Sequence, residues 1–222
     1  MTKQEIYNLI YDEPDAYRPM LESQSALLEV MEEYQVTVDG VTHPLPQPFI
    51  VLATQNPGEF VGTYPLPEAQ MDRFFLRISI GYPTVEQEMD VLERYSGQVK
   101  PMATLTPVCS AQDIIALQQM VTTIYCAPEV RAYVAQLAAA TRQDPALQLG
   151  ASTRAAIALI HGAQACALLD GRDFTLPEDV QHMLLPVFSH RLLPNPEARM
   201  KGITAEQVLM NILQNVAVPL KV

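Results

Sequence analysis

Residues 49–80 hold the groups whose type and spacing are suited to chemistry. A short continuous apolar run, FIVLA at 49–53, predicts a strand buried on both faces. Thr54, Gln55 and Asn56 follow at once, then a loop rich in Pro and Gly. The spacing next predicts a short helix over 67–73 that ends on Arg73, and a second apolar strand over 74–80. Polar side chains at the tip of a buried strand are where open α/β sheets place their ligand chemistry. A guanidinium at the end of the next helix, permanently charged and planar, is suited to stabilising a phosphoryl-transfer transition state.

The elements that must position these groups surround them. Ala26, Leu27, Val30, Met31 and Tyr34 recur on one face of a helix expected over 23–34. Two β-branched runs, 36–38 and 41–43, flank Asp39-Gly40, a strong hairpin signal. After Gly81 and Pro83, Thr84 caps a helix expected to reach about Tyr95, with Gln87 completing a capping box. Residues 96–107, with Gly97, Pro101 and Pro107, read as a linker. From Ser110 onward only helices are expected, beginning at Ser110, Pro128, Ser152, Pro177 and Thr204. Val134, Leu137, Ala138, Ile157, Leu159 and Ile160 should pack helix on helix.

Composition bounds the alternatives. The 222 residues suffice for a core plus a smaller domain. A net charge of −11 disfavours a nucleic-acid backbone as partner. Cys109, Cys126 and Cys166 lie far apart and read as small buried hydrophobes in a reducing compartment. The four histidines lack metal-ligand spacing, and no apolar run is long enough to span a bilayer.

The string ATQNPxExxGTYPLPEAQxDRF at 53–74 resembles the segment around the second polar strand of MoxR-type AAA+ ATPases. QSALLEVMEEYQVTVDGVTHPLP at 24–46, GASTRAAIAL at 150–159 and VFSHRLLPNPEA at 187–198 match the same family in the same order. The resemblance implies a fold: part of the αβα core of a P-loop NTPase in residues 1–97, then an all-α lid in 98–222. It implies ATP and Mg²⁺ as cofactors, and a cytoplasmic homo-oligomeric ring, a hexamer. The implied output is chaperone-like remodelling or maturation of partner proteins, among them proteins with a von Willebrand factor A-type domain.

Residue by residue, Asp12 is placed as the Mg²⁺ carboxylate and Glu13 as the base that activates water. A solvated acidic turn is the other reading of this pair, because the following PDAYRPMLES is about two residues longer than the family pattern and Asn8 interrupts the preceding apolar run. Asn56 resembles the γ-phosphate sensor, an amide able to donate to phosphate and accept from water; alternatively it shapes a turn before Pro57. Arg73 resembles the arginine finger acting on a neighbouring subunit, or else pairs with Glu68 or Asp72. Arg154 resembles the lid arginine that reaches the nucleotide, with Gly150 freeing the backbone and Ser152 capping; its plain alternative is a surface arginine. Arg191 is assigned to a subunit contact, and the hairpin at 36–43 to projection from the ring or to a plain connection. No GxxxxGK[ST] string occurs, so the chain is expected not to hydrolyse ATP alone and to act, in a second reading, as a non-catalytic assembly or protein-binding module. A DNA-directed motor is disfavoured by the acidic charge and by Asp39-Gly40 at the hairpin tip.

Overall fold

The computed structural model describes residues 30–31, 33–38, 41–55, 71–96 and 106–219. The expected hairpin is present: β1 (Gln35–Val38) pairs antiparallel with β2 (Val41–Pro44) in a register that sets Thr37 opposite Thr42. Their hydroxyls lie 3.2 Å apart, a cross-strand polar pair on the exposed face. Leu45 N–H donates to Tyr34 O at 2.8 Å, and Val30 and Leu45 are buried. Of the helix expected before the hairpin, only its last residues are described. Tyr34 leaves helical geometry with φ 51° and is exposed, so it does not share the buried face of Val30.

Two expectations are corrected. Residues 49–53 and 74–80 are not strands: Leu52 is 83% exposed and Ile80 93%. An apolar run becomes a strand only when neighbouring backbone satisfies its N–H and C=O groups, and the described residues provide no ladder for either run. The second run instead follows the lid, where Arg77 N–H donates to Pro186 O at 2.9 Å.

Beyond it, α1 (Val85–Ser96) begins at the anticipated capping box, Thr84 N–H donating to Gln87 Oε1 at 2.9 Å and Gln87 N–H to Thr84 Oγ1 at 3.3 Å. None of its residues is buried. The lid then forms from α2 (Ala111–Thr123), α3 (Pro128–Gln143), α4 (Thr153–Leu169), α5 (Pro177–Phe188), α6 (Pro196–Met200) and α7 (Ala205–Asn215). Each anticipated helix start is in place. Ser110 and Thr204 carry reciprocal capping boxes, Pro128 and Pro177 occupy first turns, and Ser152 Oγ accepts from Ala155 N–H at 3.1 Å.

The core of the lid lies between α3, α4, α5 and α7, centred on Tyr133, Leu137, Leu159, Leu184, Phe188 and Leu209. Small residues on α4 (Ala155, Ala163, Ala167) allow the close helix approach. A Cβ added at Gly162 would come within 2.9 Å of Met183 Cε on α5. Ile157, expected in the core, is 52% exposed, because it falls on the face opposite Ala155 and Leu159. Cys109 is likewise exposed rather than buried.

The lid is not purely helical. β3 (Leu147–Leu149) and β4 (Leu193–Pro194) form an irregular antiparallel pair, and Tyr125 bridges Phe174. Segments this short, hemmed by Pro145, Pro194 and Pro196, show no alternation that a sequence reading could detect.

Gly150 separates β3 from the N-terminus of α4, and its need for glycine is steric. An added Cβ would lie 2.7 Å from the backbone of Arg142 and 2.8 Å from that of Thr141. Since backbone atoms cannot rotate away as side chains do, Gly150→Ala is expected to destabilise the lid by ~1–3 kcal/mol. Urea unfolding followed by circular dichroism measures this, with a lower midpoint and an unchanged slope as the expected result.

Candidate functional site

The candidate site is built where the N-terminus of α4 meets residues 71–74. The loop that delivers α4 is fixed from behind: Arg142 Nε donates to Ala151 O at 2.7 Å, and Ala151 N–H donates to Thr141 Oγ1 at 2.9 Å. Ser152 therefore caps the helix in a set position, and Arg154 stands exposed in its first turn. A helix N-terminus carries partial positive charge and orphan N–H donors, which favour an anion nearby.

The anion present is the carboxylate of Asp72. Ser152 Oγ reaches its two oxygens at 3.4 and 3.5 Å, and Arg191 Nε pairs with Oδ1 at 3.2 Å. Arg191 is buried, its side chain only 3% exposed. Burial is the main influence drawing its proton affinity down; Asp72 raises it, and the nearby Arg154 lowers it again. Arg191 and the N-terminus of α4 thus meet one carboxylate, and with Arg154 near Arg191 the cluster carries more positive than negative charge.

Arg191 does more than pair with Asp72. Its Nη2 donates to Phe74 O at 2.7 Å and to Asp72 O at 3.2 Å, while Nη1 donates to Val187 O at 3.0 Å. His190 Nε2 also meets Phe74 O, at 3.0 Å. The expectation that Arg191 contacts a neighbouring subunit is therefore corrected, since its donors are spent within its own chain. Arg73 lies between the two gripped residues and is half-buried.

The chemistry of 190–198, which sequence reasoning left underived, follows from these contacts. His190 and Arg191, in a 3₁₀ turn (Ser189–Arg191), hold residues 72–74. Leu193 and Pro194 form β4; Asn195 caps α6 through Ala198 N–H and donates to Pro145 O at 2.6 Å. In the sequence, the signal for this role is no more than an adjacent His-Arg pair between Phe188 and Leu192-Leu193.

Burial holds His190 below the usual histidine range; the Phe74 carbonyl and Asp72 oppose that shift, while Arg191 and Arg77 add to it. His190 is therefore neutral at pH 7, donating from Nε2, with Nδ1 buried and unpartnered among the described residues. Because the folded value lies below the unfolded one of about 6.5, the unfolded chain binds more protons in that window. Stability is then full above about pH 6.5 and declines below it, by no more than about 1.4 kcal/mol per pH unit for one proton. Chemical denaturation between pH 5 and 8 tests this, and His190→Gln should flatten the profile.

Asp12, Glu13 and Asn56 lie outside the described residues, so Arg73 and Arg154 are the candidates whose surroundings are visible. Beside the site an open groove of about 340 Å³ runs between Ile78 and Pro186, bordered by Arg77 and Glu206, which face each other at 3.9 Å. Among the described residues no group of His, Cys, Asp and Glu is arranged to hold a metal, and no helix is long and apolar enough to cross a membrane.

Residues 6–76 match the ATPase family associated with various cellular activities (AAA), and residues 139–212 match the AAA lid domain. Chaperone MoxR1 of Mycobacterium tuberculosis is 40% identical over 205 residues, covering 88% of this chain and 54% of that protein. The chain belongs to the MoxR-type AAA+ family. Protein YeaC of Bacillus subtilis is 46% identical over 199 residues, covering 90% of this MoxR-type chain and 62% of that protein. A crystal structure of a candidate ATPase from Cytophaga hutchinsonii superposes with a TM-score of 0.81 at 38% identity, covering 88% of this chain and 62% of that one. The fold class is thus an AAA+ α/β core followed by a helical lid. The MoxR-type chain spans between 54% and 62% of the length of these relatives.

Proposed function

We propose that this chain works as part of a MoxR-type AAA+ machine that couples ATP binding and hydrolysis to chaperone-like remodelling or maturation of other proteins. The observation that carries the reading is the site at the N-terminus of α4, where Arg191 and Ser152 hold Asp72 and Arg154 stands close enough to act on Arg191. Similarity to Chaperone MoxR1 supports the chaperone-like output. Residues 1–97 are taken as core and 98–222 as lid. Arg154 would contact the phosphates of the nucleotide bound by its own subunit, and Arg73 those of a neighbour in a homo-oligomeric ring, a hexamer. Asn56 would orient water near the γ-phosphate, Asp12 would hold Mg²⁺, and Glu13 would accept the water proton. When bound, Mg²⁺ supplies charge neutralisation between the β- and γ-phosphates. Proteins with a von Willebrand factor A-type domain are the proposed clients, and the cytoplasm the proposed compartment.

Calorimetric titration with Mg-ATP tests the reading. Micromolar binding, weakened about tenfold or more in Arg154→Ala, is the expected result, since a charge-assisted contact contributes about 1.5–3 kcal/mol. Absence of binding would sink the catalytic reading for this polypeptide.

A second reading is favoured by α1, whose Val85, Met89 and Leu92 form an exposed apolar face. In that reading the chain is a non-catalytic module that joins AAA+ subunits or binds partner proteins. Assembly without nucleotide binding would select it.

A further inference from the structure

We infer that Arg191, assisted by His190, is the positioning residue for Arg73, so that the lid of a chain sets the placement of the arginine this chain offers to its neighbour. The inference rests on the proposed role of Arg73 as a finger acting across a subunit boundary.

The grip falls on both sides of Arg73. Before it, Arg191 takes the Asp72 carboxylate at 3.2 Å and the Asp72 carbonyl at 3.2 Å; after it, the Phe74 carbonyl at 2.7 Å. His190 adds a second donor to the Phe74 carbonyl at 3.0 Å. Arg191 is itself fixed to α5 through Val187 O at 3.0 Å, and Ser152 brings α4 against the same Asp72 carboxylate. The backbone on either side of Arg73 is therefore referred to two lid helices, reached through Ser152 at a separation of 80 residues and through Arg191 at 119.

This arrangement matters for a group that must meet a transferring phosphoryl, because a misplacement of about 1 Å costs on the order of 10²-fold in rate. The guanidinium of Arg191 is required for the grip. Its planar fork serves a carboxylate and three carbonyls together, whereas a lysine ammonium offers three donors from one point and cannot span them. A movement of the lid, as on nucleotide binding through Arg154, would carry residues 72–74 with it and shift the reach of Arg73 toward the adjacent subunit.

The test is a double-mutant cycle on the assembled full chain, with Arg191→Lys and Arg73→Ala made singly and together. ATP turnover, amide exchange of residues 73–75 and the thermal midpoint are read on each. Arg191→Lys is expected to lower kcat about 10–100-fold with KM within about threefold, to speed exchange at 73–75, and to cost less than about twofold further when Arg73 is already alanine. Equal costs in both backgrounds would show that Arg191 only holds the lid together and would overturn the inference. Unchanged kcat or unchanged exchange in Arg191→Lys would overturn it as well. If Arg73→Ala leaves turnover as it was, the finger role itself falls, an outcome recognisable because it appears in that single variant alone. His190→Gln, which keeps a donor for the Phe74 carbonyl, should retain kcat within about threefold; a loss as large as that of Arg191→Lys would move the positioning role off the guanidinium.

Discussion

Replacing Arg73 by alanine is expected to lower ATP turnover of the assembled protein by about 10³-fold or more, while each subunit's affinity for ATP changes little. The size follows from the nature of the step: a loose phosphoryl-transfer transition state spreads charge over equatorial oxygens, and a finger arginine contributes about 10³–10⁵ in kcat. The asymmetry between turnover and affinity follows from geometry, because a group supplied by a neighbour adds little to ground-state binding. Mixing provides the sharper check. Subunits carrying Arg73→Ala and subunits carrying Glu13→Gln are each expected to be inactive, yet mixed rings should regain part of the activity at interfaces that combine an intact Glu13 with an intact Arg73. If mixing restores nothing, Arg73 does not act across the interface.

The largest expected effect on stability lies elsewhere, at Asp179. Its two carboxylate oxygens accept from Arg172 at 2.6 and 2.8 Å, and Oδ2 also accepts Leu176 N–H at 2.7 Å at the start of α5. Asp170 holds Arg172 from the other side at 3.0 Å. The Asp179 side chain is 7% exposed, so Asp179→Ala leaves the Leu176 amide without its acceptor and Arg172 with only Asp170 and the Phe174 carbonyl. With Arg172 partly solvated, the loss is expected to be about 2–4 kcal/mol, below the fully buried case. Burial, with Asp179 and Asp170 adding to it, pushes the Cys166 thiol above its ordinary value. Asp179→Ala should therefore also speed alkylation of Cys166, a readout independent of the unfolding curve. Slower or unchanged alkylation with unaltered stability would contradict the assignment.

What the sequence disclosed and what it hid divide along contact distance. Thr84 with Gln87, Ser110, Ser152 and Thr204 mark helix starts through bonds three residues long, and all are where they were expected. Asp39-Gly40 between β-branched runs likewise specified a hairpin by local rules. The grip of Arg191 on Asp72 and Phe74 spans well over a hundred residues and leaves no periodic trace, so the resemblance assigned it to a subunit contact. Residues 49–53 misled for a related reason. Apolar character shows that a segment would gain from burial, but strand formation depends on partners that the segment does not itself encode. Gly150 carries the same lesson in miniature: its type was noticed, while the cause, the backbone of Arg142 and Thr141 pressing on it, becomes visible only in three dimensions.

The exposed face of α1 bears on how the protein behaves in a tube. Val85, Met89 and Leu92 line one side, while Glu86, Glu88, Asp90 and Glu93 crowd the remainder of the helix. In dilute buffer the mutual repulsion of molecules each carrying −11 keeps such sticky faces apart. Added electrolyte shortens the range of that repulsion to about 8 Å at 0.15 M and leaves the apolar attraction intact. Concentrated stocks should therefore turn cloudy as sodium chloride is raised and clear again on desalting.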